Sequence, residues 1–311
     1  MKIVDLDCIK LEKNDINLIG DFELKIVEYL NSGSYGKVYV CLLNDKRCVL
    51  KISNNEDPHL LKKRYKELKD KIEGKIIKIY CCGKISNDKE YKYYCIMKYG
   101  GSNLKSFINN GNGIDIKFII NKMYEMVEII RKHKILIPDF KLSNLTLYKK
   151  ELFLIDYFME CESYSPCREC KIIRTYSTYD LSTGKMYEKD YNYTYIYVLF
   201  AFCLIELLCT KSLNSIHKSL TKKYTDIEYK KFFMIVQLSS CKCLGYNERN
   251  INYDDNLDKN ILSSYYNHFL ELIDIRDEYK NIITTEKFKI LLNNTLIPIP
   301  SERKIDGNIF K

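Results

Sequence analysis

Asp139, Lys141 and Asn144 stand in the order Asp-x-Lys-x-x-Asn within Pro138-Asp139-Phe140-Lys141-Leu142-Ser143-Asn144, and Asp156 follows the apolar run Leu152-Phe153-Leu154-Ile155. Two carboxylates, an amide and an ammonium at this spacing suit phosphoryl transfer from a nucleotide. The first Asp orients an attacking hydroxyl and accepts its proton. The Lys offsets charge on the moving phosphate, and the Asn and second Asp hold magnesium or manganese ions that bridge the phosphates. The short apolar run reads as a strand that delivers Asp156 at its end.

These groups need elements upstream that hold the nucleotide. Leu30-Asn31-Ser32-Gly33-Ser34-Tyr35-Gly36-Lys37-Val38 lies between two β-rich runs. A loop that folds over phosphates needs glycines so that the backbone turns tightly and approaches the oxygens. Gly33 and Gly36 match the last two glycines of G-x-G-x-x-G-x-V, and Val38 matches its valine. Asn31 stands where the first glycine belongs. Taken alone, such a cluster is also an ordinary turn. Cys48-Val49-Leu50-Lys51-Ile52 follows, with the V-A-I-K form. Lys51 would reach the α- and β-phosphates from a strand end. In isolation it would read as a surface lysine.

In this order the elements resemble the eukaryotic protein kinases, from about residue 24 to about residue 295. Tyr94-Cys95-Ile96-Met97-Lys98-Tyr99-Gly100-Gly101-Ser102-Asn103-Leu104 is similar to the hinge of the casein-kinase-type and vaccinia-related branch. Leu154-Ile155-Asp156-Tyr157 and Tyr176-Ser177-Thr178-Tyr179-Asp180 look like that branch as well. The resemblance implies an α+β, bilobal protein kinase-like fold that binds ATP with magnesium or manganese and phosphorylates serine and threonine in proteins. It implies Met97 as gatekeeper, the backbone about Tyr99 as the adenine contact, and a helix-borne Glu as the brace of Lys51. Glu67 is the residue expected there. The other reading of Glu67 is ion pairing with neighbouring lysines on a solvated helix face. The resemblance also implies an origin in a large DNA virus and an intracellular place, in the host cytoplasm or packaged in the virion.

The chain departs from the family pattern at several supports. Ile137 and Pro138 replace the catalytic-loop His and Arg, Phe158 replaces the glycine two residues after Asp156, and the Asp that the family has near Ile196 to brace the catalytic loop is absent. Lys51, Asp139, Lys141, Asn144 and Asp156 all remain. An intact centre with altered supports favours an active, divergent kinase. The alternative is a pseudokinase that works as a scaffold for a viral or host partner. A small-molecule phosphotransferase on a related fold ranks below both.

The expected organisation is an N-terminal extension over 1–23, a small lobe over 24–99, a helical lobe over 100–297 and a tail over 298–311. Strands are expected at 24–30, 37–43, 47–52, 76–82 and 91–98. Helices are expected at 57–72, 116–133, 193–209, 227–240, 259–273 and 284–293, from their periodicity. Ile119, Ile120, Met123, Met126, Val127 and Ile130 recur at helical spacing and read as core.

The chain has 311 residues, enough for one bilobal domain or two ordinary ones. No run of about twenty apolar residues marks a membrane span, and the first residues lack the pattern of a secretory signal. The net charge of +9 would suit acidic or phosphorylated substrates. Because it is spread along a sequence rich in Lys, Ile, Asn and Tyr, base composition of the gene explains it better, and it does not mark a nucleic-acid binder. Cys161, Cys167 and Cys170, with Cys241 and Cys243, have spacing that a zinc site would use. In a chain with 13 cysteines, reduced thiols are the preferred reading.

Overall fold

Phe22–Gly33, Gly36–Leu43 and Lys46–Ser53 are rich in β-branched and aromatic side chains and form long paired strands, the last two joined at Asn44-Asp45. The computed structural model describes residues 1–33, 36–54, 56–72, 74–109, 115–135, 137, 139–157, 179–180, 185–186, 195–224, 259–296 and 303–307. The architecture is α+β, and the chain groups into two compact units. One comprises Met1–Leu104 with Leu145–Phe158, the other Lys105–Asn144 with Met159–Lys311.

In the first unit, β1 (Lys2–Ile3), β2 (Ile16–Ile19), β3 (Phe22–Gly33), β4 (Gly36–Leu43), β5 (Lys46–Ser53), β6 (Ile79–Lys84) and β7 (Tyr93–Lys98) form one sheet. Its order is β1-β6-β7-β5-β4-β3-β2. Every pairing is antiparallel except β1 with β6. The β4–β5 turn places Asn44 and Asp45 at φ 45° and 62°. Two positive values in a two-residue loop are what a type I′ hairpin requires, and Asn and Asp tolerate them. Helix α1 (Pro58–Lys69) starts with Asp57 accepting from the backbone N–H groups of His59 and Leu60. It packs against β6 and β7 through a buried stripe that includes Leu61 and Leu68.

Residues 1–23 are not a separate extension. They supply β1 and β2, and Ile9 and Ile19 enter a core with Leu24, Ile26, Cys41, Cys48, Leu50 and Ile96 on one face of the sheet. Tyr94 Oη donates to the Val4 carbonyl at 2.6 Å. A Cβ on Gly83 would fall 1.8 Å from that same carbonyl oxygen, so the close approach of strand and segment requires glycine. A second, three-stranded sheet has the order β10-β9-β8, from β8 (Ser102–Asn103), β9 (Leu145–Tyr148) and β10 (Glu151–Leu154). The β9–β10 hairpin was expected in the second lobe but groups with the first unit.

In the second unit, α2 (Leu104–Asn109) leads to α3 (Ile116–Lys132), whose buried residues are the six at helical spacing named above. Asp115 caps α3 by accepting from the Lys117 N–H. Two short strands, β11 (Tyr179–Asp180) and β12 (Lys185–Met186), pair with each other. Helix α4 (Tyr195–Leu208) is buried along nearly its whole length and packs on α3. It also meets α5 (Leu213–Lys223) and α7 (Thr285–Thr295), while α6 (Lys259–Glu271) packs on α5. Within the expected tail, Arg303 is buried and the Lys304 N–H donates to the Asn294 carbonyl at 3.2 Å. The helix expected over 227–240 lies outside the described residues. Among the described residues, no helix is long and apolar enough to cross a membrane.

Candidate functional site

The first unit brings Lys51 and Asp156 together. Strand β5 pairs Lys51 with Val38 on one side and Cys95 on the other, and Cys95 in turn pairs with Cys82. This cross-strand row lies on the face opposite the one that residues 1–19 cover. The Cys82 Sγ contacts the Pro58 carbonyl at the start of α1, at 3.7 Å. Lys51 is therefore only 8% exposed. Its ammonium donates to Asp156 Oδ1 at 2.5 Å and to Glu56 Oε1.

Asp156 is placed by its neighbours. The Leu154 N–H donates to the Lys75 carbonyl at 2.7 Å, and the Ile77 N–H donates to the Leu154 carbonyl at 3.1 Å. Tyr157 is fully buried and donates to the Ile77 carbonyl at 2.9 Å. Between these anchors Asp156 takes φ 54°, in the left-handed region that a β-carbon disfavours. Such an outlier persists only where its surroundings enforce it, and it clusters at functional positions.

Burial works against the charge on Lys51, but the carboxylates of Glu56 and Asp156 outweigh it and raise the ammonium above the ordinary lysine value. Burial raises Glu56 above the usual carboxylate range despite the neighbouring Lys51.

The brace expected for Lys51 was Glu67. The structure gives that place to Glu56. Glu67 lies on the solvated side of α1, 3.5 Å from Arg64 and 4.0 Å from Lys63. One helical step is about 100°, so Glu67 is turned aside from the inward stripe that contains Leu68. Glu56 precedes the Asp57 cap, and no periodic signal marks it. Its short separation from Lys51 is the one sequence feature that points to it.

The remaining first-unit candidates are placed as follows. Gly33 ends β3 opposite Gly36. Gly36 has φ 148°, and a Cβ there would fall 1.8 Å from the Ile52 carbonyl oxygen, so this position accepts only glycine. Met97 is buried opposite Val49. The Tyr99 ring carries the Arg47 guanidinium 4.2 Å from its centroid.

The second unit brings Asp139, Lys141 and Asn144 together. The turn Leu142–Asn144 is a 3₁₀ helix closed by the Asn144 N–H on the Lys141 carbonyl at 2.9 Å. Asn144 Nδ2 donates to the Asp139 carbonyl and to Asp139 Oδ2, each at 2.9 Å. Lys141 Nζ reaches the same Oδ2 at 2.8 Å. Both partners hold the one carboxylate oxygen, and among the described residues none bonds to Oδ1. The loop is anchored by buried Ile137, Phe140 and Leu142, and Cys203 of α4 donates to the Phe140 carbonyl at 3.8 Å. Ile137 and Ile196 are both buried.

Asn144 Oδ1 and the carboxylate of Asp156 are hard oxygen donors, the kind that magnesium and manganese prefer. Among the described residues, no cluster of three or more His, Cys, Asp or Glu forms a metal site. Pro138, Phe158, Cys161, Cys167, Cys170, Cys241, Cys243 and the Thr175–Thr178 run lie outside the described residues.

Compared with protein-family models and with curated proteins, the chain finds no match in either.

Proposed function

We propose that this chain transfers the γ-phosphate of ATP to protein serine and threonine hydroxyls, on a two-lobed kinase-like fold. The observation that carries the reading is the contact of Lys51 with Asp156 across 105 residues of sequence, at 2.5 Å, closed by Glu56. A buried lysine whose charge is held by two carboxylates is a fixed cation, and fixed charges cost no reorganisation during reaction.

Each residue then has a task. Lys51 binds the α- and β-phosphates, and Glu56 keeps its ammonium in place. The turn at Gly33 and Gly36 lets backbone N–H groups approach phosphate oxygens, and Val38 and Met97 line the base with the backbone about Tyr99. The substrate hydroxyl oxygen bonds to the γ-phosphorus as the bond to the β–γ bridging oxygen breaks, and ADP leaves. Asp139 Oδ1 takes the hydroxyl proton, and Lys141 offsets charge on the transferred group. Asn144 and Asp156 would hold magnesium or manganese, which neutralises the crowded phosphate charge when bound.

The test is radiolabelled transfer from ATP to casein and to basic proteins by the wild type and Asp139→Asn. The expected result is transfer by the wild type and a loss of at least about a hundredfold in the variant. If neither transfers but Mg·ATP still raises the melting temperature, the chain is a nucleotide-binding scaffold for a protein partner. Absence of both transfer and shift removes the nucleotide reading altogether.

A further inference from the structure

Strand β2 ends one side of the seven-stranded sheet, and among the described residues no strand lies beyond it. Its side chains alternate between core and water. Asn17 and Ile19 are buried, while Ile16 is 53% and Leu18 74% exposed, the latter the highest value of any large apolar side chain among the described residues. Asn17 pins the strand from the buried side. Its Oδ1 accepts from the Lys10 N–H at 2.7 Å, and its Nδ2 donates to the Lys10 carbonyl at 2.9 Å.

The backbone alternates as well, because in an antiparallel pair only every second residue turns its N–H and C=O toward the neighbouring strand. On β3, Ile26 bonds toward β2, its N–H donating to the Asp15 carbonyl at 2.9 Å. Glu23 bonds the other way. Its carbonyl accepts from the Asn44 N–H, and its N–H donates to Asn44 Oδ1, each at 2.9 Å. Leu18 lies opposite Glu23 and Ile16 opposite Lys25, so both belong to pairs that exchange no bond with β3. Their N–H and C=O groups point to the open side of the sheet. Apolar side chains beside open backbone groups are a template for another strand.

We infer that β2 pairs antiparallel with β2 of a second copy of this chain, about a two-fold axis through Asn17. The edge is complementary to itself. This register sets Leu18 opposite Ile16 of the second copy, and Ile16 opposite its Leu18, so each pair exchanges two backbone hydrogen bonds. A one-residue slip would set open groups against groups already bonded to β3. A two-residue slip would keep only one such pair, because the next falls on Asn14 or Gly20, which leave the strand at φ 72° and 59°. Charge agrees with this register. Each apolar pair is flanked by Glu23 of one copy and Lys25 of the other, and Lys13 of one aligns with Asp21 of the other. Because charges of both signs flank the edge, a peptide of one sign fits it less well than a second copy. Paired four-residue strands bury much less than the roughly 1,600 Å² of a standard interface, so the dimer is weak and forms with rising concentration. The pairing is independent of the phosphotransfer reading, in which Ile16 and Leu18 have no task.

Sedimentation velocity of the full chain, without nucleotide, over a concentration series reaching the submillimolar range tests this. The wild type is expected to pass from monomer to dimer. Leu18→Lys adds the charge with which natural edge strands resist pairing. It is expected to raise the dissociation constant at least about tenfold, since a two-fold interface contains the change twice. The melting temperature is expected to stay unchanged, because the side chain is exposed. Ile16→Glu is expected to behave in the same way. An equal mixture of the two variants is expected to recover part of the association, because the register sets the new ammonium of one opposite the new carboxylate of the other. A wild type that stays monomeric at the highest concentration overturns the inference and leaves the edge to a strand of another partner. Variants that associate as tightly as the wild type, or a mixture no tighter than either variant alone, also overturn it.

Discussion

Lys51 is held by two carboxylates in a place that water barely reaches, and this gives its contacts more weight than surface pairs have. Exposed ion pairs contribute little, while a buried pair broken on one side leaves an uncompensated charge. Glu56 and Glu67 therefore make a decisive comparison. Glu56→Gln keeps the size of the side chain and removes its charge, freeing the Lys51 ammonium to shift. The expected result is a drop in kcat/KM for phosphotransfer of roughly ten- to a hundredfold, the scale of a small misplacement of a catalytic group. Glu67→Ala is expected to change stability by no more than about 0.5 kcal/mol and to leave turnover nearly unchanged. Steady-state kinetics with denaturant melts checks both, and the reverse pattern would return the bracing role to Glu67. Lys51 and Asp156 are legible from sequence because each accompanies an apolar strand at a recognisable spacing, Lys51 inside β5 and Asp156 just after β10. Glu56 is not, because an acid beside a helix cap reads as part of the cap.

The strands and helices follow local rules closely. The strand expected over 37–43 and the helix expected over 116–133 appear as Gly36–Leu43 and Ile116–Lys132. Both have long, clear periodicity. The Lys149–Lys150 turn is less legible, since neither residue signals positive φ; the pairing of β9 with β10 imposes it. The largest revision concerns residues 1–23. Strand β1 has two residues and pairs in parallel with β6, Lys2 opposite Cys81. Such a contact is too short and too distant in sequence to leave a local pattern. Ile19 is fully buried, so Ile19→Ala is expected to destabilise the protein by about 2–5 kcal/mol in denaturant unfolding. A loss below about 0.5 kcal/mol would mean that these residues form an appendage after all.

At the scale of the whole molecule, both units bury thiols and phenols that resist ionisation. In the first unit, burial pushes Cys81 up to about 11 and Cys82 up to about 12, and it raises Tyr157 well above the ordinary tyrosine value. In the second, burial pushes Cys209 up to about 12 and raises Cys203 and Tyr197. Unfolded cysteine and tyrosine ionise near about 8.5 and 10. A folded-state value above the unfolded one gives stability that is complete below the unfolded value and disappears as pH rises toward the folded one. These thiols and phenols are thus expected to leave the melting temperature unaffected below about pH 8.5 and to lower it steadily above that point. Circular dichroism melts across this range check the expectation. An unchanged melting temperature at about pH 10.5 would show that these groups are not buried in solution.

Residue type, spacing and periodicity within one segment suffice to read the α+β composition, the core stripe of α3, the need for glycine at Gly36 and the grouping of Asp139, Lys141 and Asn144. These depend on neighbours a few residues apart, and the chain's stereochemistry largely decides them. The partner of Lys51, the left-handed backbone of Asp156, the burial of residues 1–19 in the sheet and the seating of cations on rings depend on contacts between distant segments. Packing decides those, because the same local pattern is compatible with several partners and only the assembled sheets select one.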